Sequence, residues 1–257
     1  MLDTTQAVEK IRQAVATGTG FSFVRLGDGE AMICNAKPGH STGTVGPPLR
    51  HFELMAPDAL RRTSMAGVQV RKDGSFALVH EMIESGRWPL PELQCSADLW
   101  YDMEPSDVCE ALALGVEMRK PQEDRNTMRR WLLVTSHPDT AITAETCDSL
   151  SIAHVIRVPA QRSGERYSEI MGVIRTALRS KEPPLTGVLF ACGPVKMLLA
   201  PYVAEEFDIP AIDLGAIVDC WAGQDSRMIS RERGLATKWQ KLLEFRQNSK
   251  PRVVTPA

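Results

Sequence analysis

The chain lacks long apolar runs, a strong net charge and a leader-like start. Its apolar runs fall far short of the roughly 20 residues that cross a bilayer. The stretch Met1–Thr5 has neither the basic start nor the apolar core of a signal peptide. A formal net charge of -2 over 257 residues excludes a global basic field that would attract nucleic acid or anionic lipid. A local basic patch stays open. We expect a cytoplasmic protein without a transmembrane segment.

Closely spaced cysteines are also missing. The chain has six cysteines, and no two stand near enough in sequence to suggest a zinc or redox pair: Cys34, Cys95, Cys109, Cys147, Cys192 and Cys220. Their even number permits disulfides, but no export signal supports them. We therefore expect buried, reduced thiols of the kind found in cytosolic proteins. A catalytic cysteine is the alternative.

The composition and the hydrophobic pattern indicate an α/β protein. The chain is 43% hydrophobic and 24% charged, which is ordinary for a globular fold. Short apolar strands alternate with helical patterns, which predicts βαβ units and a mostly parallel sheet flanked by helices. Predicted strands cover 21–26, 66–70, 131–135, 154–158, 187–191 and 211–214, and predicted helices cover 4–17, 51–63, 76–86, 106–119, 140–150, 164–180, 194–207 and 229–246.

The domain layout follows from the same pattern. We predict one domain over 1–247, with a helical insertion in the first half at 72–125, and a flexible tail over 248–257. Residues 35–50 are rich in Gly, Pro, Ser and Thr and predict a loop. The segment 87–105 carries three prolines and permits no assignment.

Two carboxylates follow the first predicted strand. The sequence Arg25-Leu26-Gly27-Asp28-Gly29-Glu30 comes directly after an apolar run. If the backbone stays extended there, Asp28 and Glu30 point the same way and either repel each other or hold a cation. Gly27 and Gly29 let the loop turn and let a ligand approach the backbone. The alternative is an ordinary surface turn.

A glycine and a proline join a later strand to its helix. In Cys192-Gly193-Pro194, the proline suits the first helical turn and Gly193 allows close approach to the helix N-terminus. Free amides and the helix dipole favour a phosphate there, and Lys196 adds a charge. The alternative is a structural Gly-Pro turn, since the chain has no full phosphate loop and no GxGxxG.

Other polar residues follow neighbouring strands. Asp213 and Gly215 end the strand after Gly193, so Asp213 is expected near Gly193 at the edge where parallel strands end. A helix cap or a buried hydrogen-bond acceptor is the alternative role for Asp213. Arg162 and Arg166 follow the strand at 154–158, where a guanidinium can clamp a diphosphate. For Arg166, the alternative is a solvated helix start.

Several of these stretches together resemble the GT-D-type glycosyltransferases. The motif at Asp28 and Glu30 is similar to the acidic-x-acidic signature of that family. Similar stretches, in the same order, are Pro159–Ile170, Leu189–Leu199 and Ile212–Asp219. Arg162 stands where the family usually has asparagine, and Ala216 stands where it usually has histidine. Residues 35–125 match poorly, and we expect acceptor recognition there.

The resemblance implies a Rossmann-like fold and transfer of a sugar from a nucleotide-diphosphate sugar, with UDP as the expected nucleotide. It implies a divalent ion, Mn²⁺ or Mg²⁺, held by Asp28 and Glu30, that neutralises the departing diphosphate. From the residues and the resemblance together, the predicted donor-binding residues are Arg25, Gly27, Gly29, Arg162, Gly193, Pro194, Lys196 and Gly215. Asp213 is the expected catalytic base. Arg25 has a second interpretation, as a structural partner of a carboxylate.

The acceptor is expected to carry a hydroxyl, and a glycan, a glycoprotein and a modified nucleobase all qualify. Two other functions stay open. Ala211–Gly215 looks like the start of a methyl-donor strand in a Rossmann methyltransferase, although the second glycine is missing. A non-catalytic nucleotide-binding protein is the third interpretation, because the family histidine is replaced at Ala216.

Overall fold

The structure is a computed structural model of the chain. It describes residues 1–35, 50–70, 76–115, 117–119, 126–159, 163–180 and 182–249. Three sequence-based predictions lie wholly or largely outside these ranges: most of the loop at 35–50, the position of Arg162, and the tail from residue 250 onward. Among the described residues, no helix combines the length and the apolar character needed to cross a bilayer.

The main sheet is entirely parallel within the described chain and has seven strands. Their bounds are β1 Phe21–Leu26, β2 Met65–Val68, β3 Leu93–Ser96, β6 Trp131–Thr135, β7 Ile152–Arg157, β8 Gly187–Ala191 and β9 Pro210–Asp213. The strand order is β3-β2-β1-β9-β8-β6-β7, and all six pairings are parallel. The predicted parallel α/β fold is confirmed. Two short strands, β4 Glu117–Arg119 and β5 Asn126–Met128, form a separate antiparallel pair.

Helices connect the strands and cover both faces of the sheet. They are α1 Thr4–Thr17, α2 Asp28–Asn35, α3 Arg50–Arg62, α4 Ala77–Glu84, α5 Pro105–Ala111, α6 Ala144–Ser149, α7 Tyr167–Ser180, α8 Lys196–Phe207, α9 Ile217–Trp221, α10 Met228–Glu232 and α11 Leu235–Ser249. Short 3₁₀ turns occur at Leu99–Tyr101, Ser163–Arg166 and Gly193–Val195.

Two apolar clusters lie on opposite faces of the sheet. Successive side chains of a strand point to opposite faces, so Val24 and Leu26 of β1 join one cluster and Phe23 joins the other. The first cluster contains buried residues of α2, α3, α4, α7 and α8, and the second contains buried residues of α1, α5, α9 and α11. A sheet covered on both faces leaves its strand ends as the place for a ligand.

The first departure from prediction is α2, which begins where a loop was expected. The Oε2 atom of Glu30 accepts a hydrogen bond from the backbone N–H of Gly27 at 3.0 Å. A glutamate that reaches back three residues to a backbone N–H is a helix-capping arrangement. Acidic residues in a first turn are also favoured by the helix dipole. The sequence from Gly27 to Glu30 therefore opens a helix.

Other departures occur in the segment 72–125 and near the end of the chain. The unassigned segment 87–105 contains β3, which pairs with β2 in the main sheet. The predicted helix over 106–119 ends at Ala111, because the chain turns at Ala113 and Gly115, where φ is positive, before β4. The division into one domain with an insertion stays a prediction.

The predicted C-terminal helix over 229–246 is two helices, α10 and α11. They are separated at Gly234, where φ is 59°. Glycine adopts this left-handed backbone conformation at little cost, so the chain changes direction there. The second helix then runs to Ser249, two residues into the predicted tail.

All six cysteines are unpaired, and five of them are buried. Burial raises the pKa of the Cys192 thiol to about 12, so it stays protonated at neutral pH. A protonated, buried thiol is neither a nucleophile nor a metal ligand. Five of the six thiols are buried and unpaired as expected, whereas Cys147 is only half-buried. The catalytic-cysteine alternative gains no support at Cys192.

Candidate functional site

The site lies where neighbouring strands β1, β9 and β8 end. We call this the carboxyl edge of the sheet. The chain leaves these strands at Leu26, Asp213 and Ala191, and α2 and α8 begin shortly after β1 and β8. Four charged residues meet there: Arg25, Glu30, Lys196 and Asp213. We refer to these four residues as the charge cluster.

Glu30 and Lys196 form a buried ion pair. The Nζ atom of Lys196 lies 2.5 Å from Oε1 of Glu30. Only 3% of Glu30 and 7% of Lys196 is exposed, so water screens the pair little. Burial alone would raise the pKa of Glu30, but the charge of Lys196 and its hydrogen bond outweigh burial and hold that pKa below the ordinary value of 4.5. Glu30 is therefore ionised at neutral pH.

Asp213 is the fully buried carboxylate of the charge cluster. Its Oδ2 atom accepts a hydrogen bond from the backbone N–H of Arg25 at 2.9 Å. The same oxygen lies 3.5 Å from Nε of Arg25 and 3.6 Å from Nζ of Lys196. Oδ1 of Asp213 has no hydrogen-bond partner within the part of the chain that the structure describes. The sequence predicts Asp213 near Gly193; the structure places its carboxylate beside Lys196, three residues further along the chain, and a contact with Gly193 stays a prediction.

Arg25 crosses the carboxyl edge toward Tyr101. Its guanidinium lies 5.8 Å from the centre of the Tyr101 ring, and Nη1 donates a hydrogen bond to the carbonyl of Ala97 at 3.3 Å. Gly215 has a φ of 53°, and a Cβ atom built on it would lie 1.2 Å from Nη2 of Arg25. Only glycine leaves room for the guanidinium at this point. The interpretation of Arg25 as a partner of a carboxylate is confirmed by its contacts with Asp213.

The turn before α8 contains a glycine in the left-handed backbone conformation. The φ angle changes from -124° at Cys192 to 69° at Gly193, and glycine adopts a positive φ at little cost. A Cβ atom on Gly193 would find only Ser163 Oγ, at 4.0 Å, among the described atoms. Pro194 and Lys196 are buried beside this turn. A phosphate at Gly193 stays a prediction.

The backbone at the two acids of the motif is not extended. Asp28 and Glu30 both belong to the first turn of α2, so the condition on which their alignment is predicted is not met. The side chain of Asp28 lies outside the described part of the chain.

The fit of a divalent ion depends on Glu30. One Glu30 oxygen lies against Lys196, and the other accepts the Gly27 N–H. Among the described residues, no group of three or more His, Cys, Asp or Glu side chains is arranged to hold a metal ion. As arranged, Glu30 does not fit a divalent ion.

Of the remaining predicted residues, two lie at the site, one lies on the surface and one lies outside the described part of the chain. Gly27 and Gly29 lie at the start of α2 beside Glu30. Arg162 lies outside the described residues. Arg166 is exposed and pairs with Glu169 on α7, with its Nε donating to Oε2 of Glu169 at 2.7 Å. Its contacts are those of a solvated helix start.

A second polar network at the carboxyl edge was missed in the sequence. His137 follows β6, and its Nε2 atom lies 2.6 Å from Oδ1 of Asp219 on α9. Nδ1 of His137 lies 3.0 Å from Oγ1 of Thr135. Ser226 donates a hydrogen bond to the other oxygen of Asp219. The signal that identified Asp213, a polar residue at the carboxyl end of an apolar strand, also applies to His137, which stands two residues after β6.

We expect His137→Phe to lower the free energy of unfolding by roughly 1–3 kcal/mol, because it leaves Thr135 and Asp219 without their shared partner. Urea unfolding at neutral pH measures the change. Ser226→Ala keeps the imidazole in place and is expected to lower the free energy of unfolding by less than His137→Phe does. An unchanged urea midpoint for His137→Phe would show that these hydrogen bonds add nothing to stability.

Comparison with known proteins adds a family and a fold. The model of a family described as a GT-D fold-like domain matches residues 2–221, so the match ends before α10 and α11. No curated protein matches the chain.

Solved structures resemble the chain over most of its length. One is described as a highly conserved domain of unknown function 1792 with a distinct glycosyltransferase fold. It has a TM-score of 0.55 and 15% identity, and the match covers 91% of this chain and 82% of that one. Another, from Streptococcus sanguinis, is described as a new glycosyltransferase; it has a TM-score of 0.54 and 13% identity, with 89% and 84% covered. At these identities, the likeness establishes the fold.

Proposed function

The chain belongs to the family of GT-D fold-like domains, and from that premise we propose that it is a glycosyltransferase that uses a nucleotide-diphosphate sugar. The glycosyltransferase fold of its structural neighbours supports this class of enzyme. The observation that carries the proposal is the charge cluster beside the Gly193 turn, at the carboxyl edge where open parallel sheets bind ligands.

The chemistry of sugar transfer explains these groups. Breaking the bond between sugar and diphosphate leaves negative charge on the departing phosphate. Backbone amides at the start of α8 and the cations Lys196 and Arg25 are the groups that we propose stabilise this charge. An ammonium has three N–H donors. The Nζ atom of Lys196 makes one hydrogen bond to the described residues, with Glu30.

The predicted base for the acceptor hydroxyl is buried in the structure. Asp213 is the sequence-based prediction, and its Oδ1 atom lacks a hydrogen-bond partner among the described residues. The side chain has no exposed surface. An acceptor hydroxyl would therefore reach Asp213 only after neighbouring side chains move. The role of Asp213 as a base stays a prediction.

The finer parts of the proposal come from the resemblance. The donor is proposed to be a UDP-hexose, and the acceptor a hydroxyl on a glycan, a glycoprotein or a modified nucleobase. Mn²⁺ or Mg²⁺ on Asp28 and Glu30, acting as a Lewis acid, belongs to the same prediction. Because Glu30 is already paired with Lys196, we assign no step to a metal ion. A cytoplasmic location also stays a prediction.

The first test is stabilisation of the whole chain by nucleotides. We expect UDP at about 100 times its dissociation constant to raise the free energy of unfolding by about 2.7 kcal/mol. Thermal unfolding with UDP, GDP, CDP and S-adenosylmethionine measures this, and release of free UDP from UDP-sugars then tests for catalysis. Stabilisation by S-adenosylmethionine alone would favour a methyltransferase. Nucleotide binding without release of UDP from any donor and acceptor combination would favour a non-catalytic binding protein.

A further inference from the structure

We infer that Lys196 is the cation that Glu30 and Asp213 hold in this chain, and that nucleoside diphosphates bind at this edge without Mn²⁺ or Mg²⁺. The identity of the ligand rests on the proposed function. The statement about the two carboxylates rests on the geometry of the charge cluster alone.

The ammonium of Lys196 occupies the space that a metal ion on these carboxylates would need. Its Nζ atom lies 2.5 Å from Glu30 Oε1 and 3.6 Å from Asp213 Oδ2. Divalent ions bind carboxylate oxygens at about 2.0–2.6 Å. An ion on Glu30 Oε1 from the Lys196 side would therefore overlap the ammonium. The two cations exclude each other there.

The charge balance also disfavours an added ion. The charge cluster holds two cations, Arg25 and Lys196, and two carboxylates, Glu30 and Asp213. Among the side chains that the structure describes there, these charges balance, so a divalent ion would add two positive charges to a balanced cluster. Expelling the ammonium instead leaves a lysine without its partners in a buried position, which is strongly unfavourable.

Lys196 is also poorly placed to move away. It is the first residue of α8, and the three residues that follow it, Met197, Leu198 and Leu199, have no exposed surface. The backbone of the first turn is therefore fixed by core packing. The lysine has to leave by rotating its own side chain, and that side chain is itself buried.

The second oxygen of Glu30 also has a structural partner. It accepts the Gly27 N–H at the start of α2. Turning this oxygen away from Gly27 toward a metal ion would remove the hydrogen bond that caps the helix. A metal ion on either oxygen of Glu30 would therefore have to share it with, or take it from, a group of the protein.

Lys196 can supply the charge that a metal ion otherwise brings to a diphosphate. It follows directly after the Gly193–Val195 turn, so its ammonium and the first amides of α8 belong to one short stretch of chain. With one hydrogen bond to the described residues, the ammonium has donors left for a phosphate oxygen. The same residue thus neutralises Glu30 and is the cation to which we assign contact with the diphosphate.

Two titrations of the unmodified full chain test the inference. Calorimetry with UDP is run once with EDTA and once with Mn²⁺, and the dissociation constant is expected to change by less than about threefold. Mn²⁺ is then titrated without nucleotide and followed by electron paramagnetic resonance, and we expect no site tighter than about 1 mM.

Variants identify the residue. Lys196→Gln is expected to weaken UDP binding in EDTA by roughly tenfold to hundredfold, the value of one charge-assisted hydrogen bond. Lys196→Arg keeps the charge and is expected to retain part of the affinity. Lys238→Gln is the control, because Lys238 is exposed and pairs with Glu104 on the surface. If Lys196→Gln does not fold, the two titrations of the unmodified chain still decide the inference.

The outcomes separate the inference from the proposed function. UDP binding that requires Mn²⁺, or a micromolar Mn²⁺ site lost in Glu30→Gln, would overturn the inference and leave the proposed function standing. No binding of any nucleoside diphosphate under either condition would overturn the proposed function. It would also overturn the inference that nucleoside diphosphates bind at this edge without a metal ion. In every case, the Mn²⁺ titration without nucleotide decides whether Glu30 and Asp213 hold Lys196 rather than a metal ion.

Discussion

Lys196→Met is expected to lower the free energy of unfolding by about 3–5 kcal/mol, because it breaks a buried ion pair and leaves a carboxylate without its partner. Glu30 then keeps its negative charge in a place where 3% of the residue is exposed. Asp213 also loses a cation at 3.6 Å, although Arg25 remains beside it. Urea unfolding at neutral pH, with the slope and the midpoint both reported, measures the loss.

The control for Lys196→Met is an ion pair on the surface. In the pair of Lys238 with Glu104, the side chains are 42% and 47% exposed. Lys238→Met is therefore expected to cost at most about 1 kcal/mol. Adding Glu30→Gln to Lys196→Met removes the unpaired charge and should recover part of the loss. Equal effects of Lys196→Met and Lys238→Met would contradict the burial of the pair.

The pH dependence of stability follows from the same pair. The pKa of Glu30 is lowered below its ordinary 4.5. The stabilisation that ionised Glu30 contributes is therefore fully present above about pH 4.5, and it is lost as the pH falls through the lower pKa of the folded state. Burial alone would lower the pKa of Lys196, but Asp213 and Glu30 outweigh it and raise that pKa above 10.5. The stabilisation that Lys196 contributes is fully present below pH 10.5, and it is lost as the pH rises through the higher pKa of the folded state. The difference in stability between the unmodified chain and Lys196→Met is therefore expected to shrink in acid.

Gly215→Ala is expected to reduce kcat/KM for sugar transfer by roughly 100-fold, the effect of misplacing a site group by about 1 Å. The new Cβ atom would lie 1.2 Å from Nη2 of Arg25, so the guanidinium has to leave its place beside Asp213 and Tyr101. Stability is expected to fall as well, by roughly 1–2 kcal/mol, because alanine is strained at positive φ. Steady-state kinetics and urea unfolding measure the two effects.

The control for Gly215→Ala separates backbone strain from the clash with Arg25. Gly234 has a φ of 59°, and a Cβ atom built on it meets nothing within 4 Å. Gly234→Ala carries the same kind of backbone strain and is expected to leave kcat/KM unchanged. If both variants lose activity equally, the clash with Arg25 is not the cause. The comparison depends on an active enzyme, so it follows the test of UDP release.

Most of the fold was predictable because its signals are local. Apolar runs such as Trp131–Thr135 and Gly187–Ala191 are buried strands in the structure at the predicted residues. Their alternation with helices indicated parallel pairing, and parallel pairing places Asp213 near the turn before Lys196. The segment with β3 gave no such signal, because three prolines interrupt it and the strand is four residues long.

The partners of the site residues depended on the tertiary structure. Residues 25 and 213 are 188 positions apart and meet because β1 lies beside β9. The hydrophobic periodicity of a segment does not determine which strands lie side by side. His137 and Asp219 meet across 82 positions for a similar reason. The sequence by itself determined most of the strands and helices, and it placed Glu30, Lys196 and Asp213 at the carboxyl edge. Only the tertiary structure decided that Glu30 turns inward to Lys196, because side-chain direction depends on the helix that begins at Asp28 and on what packs against it.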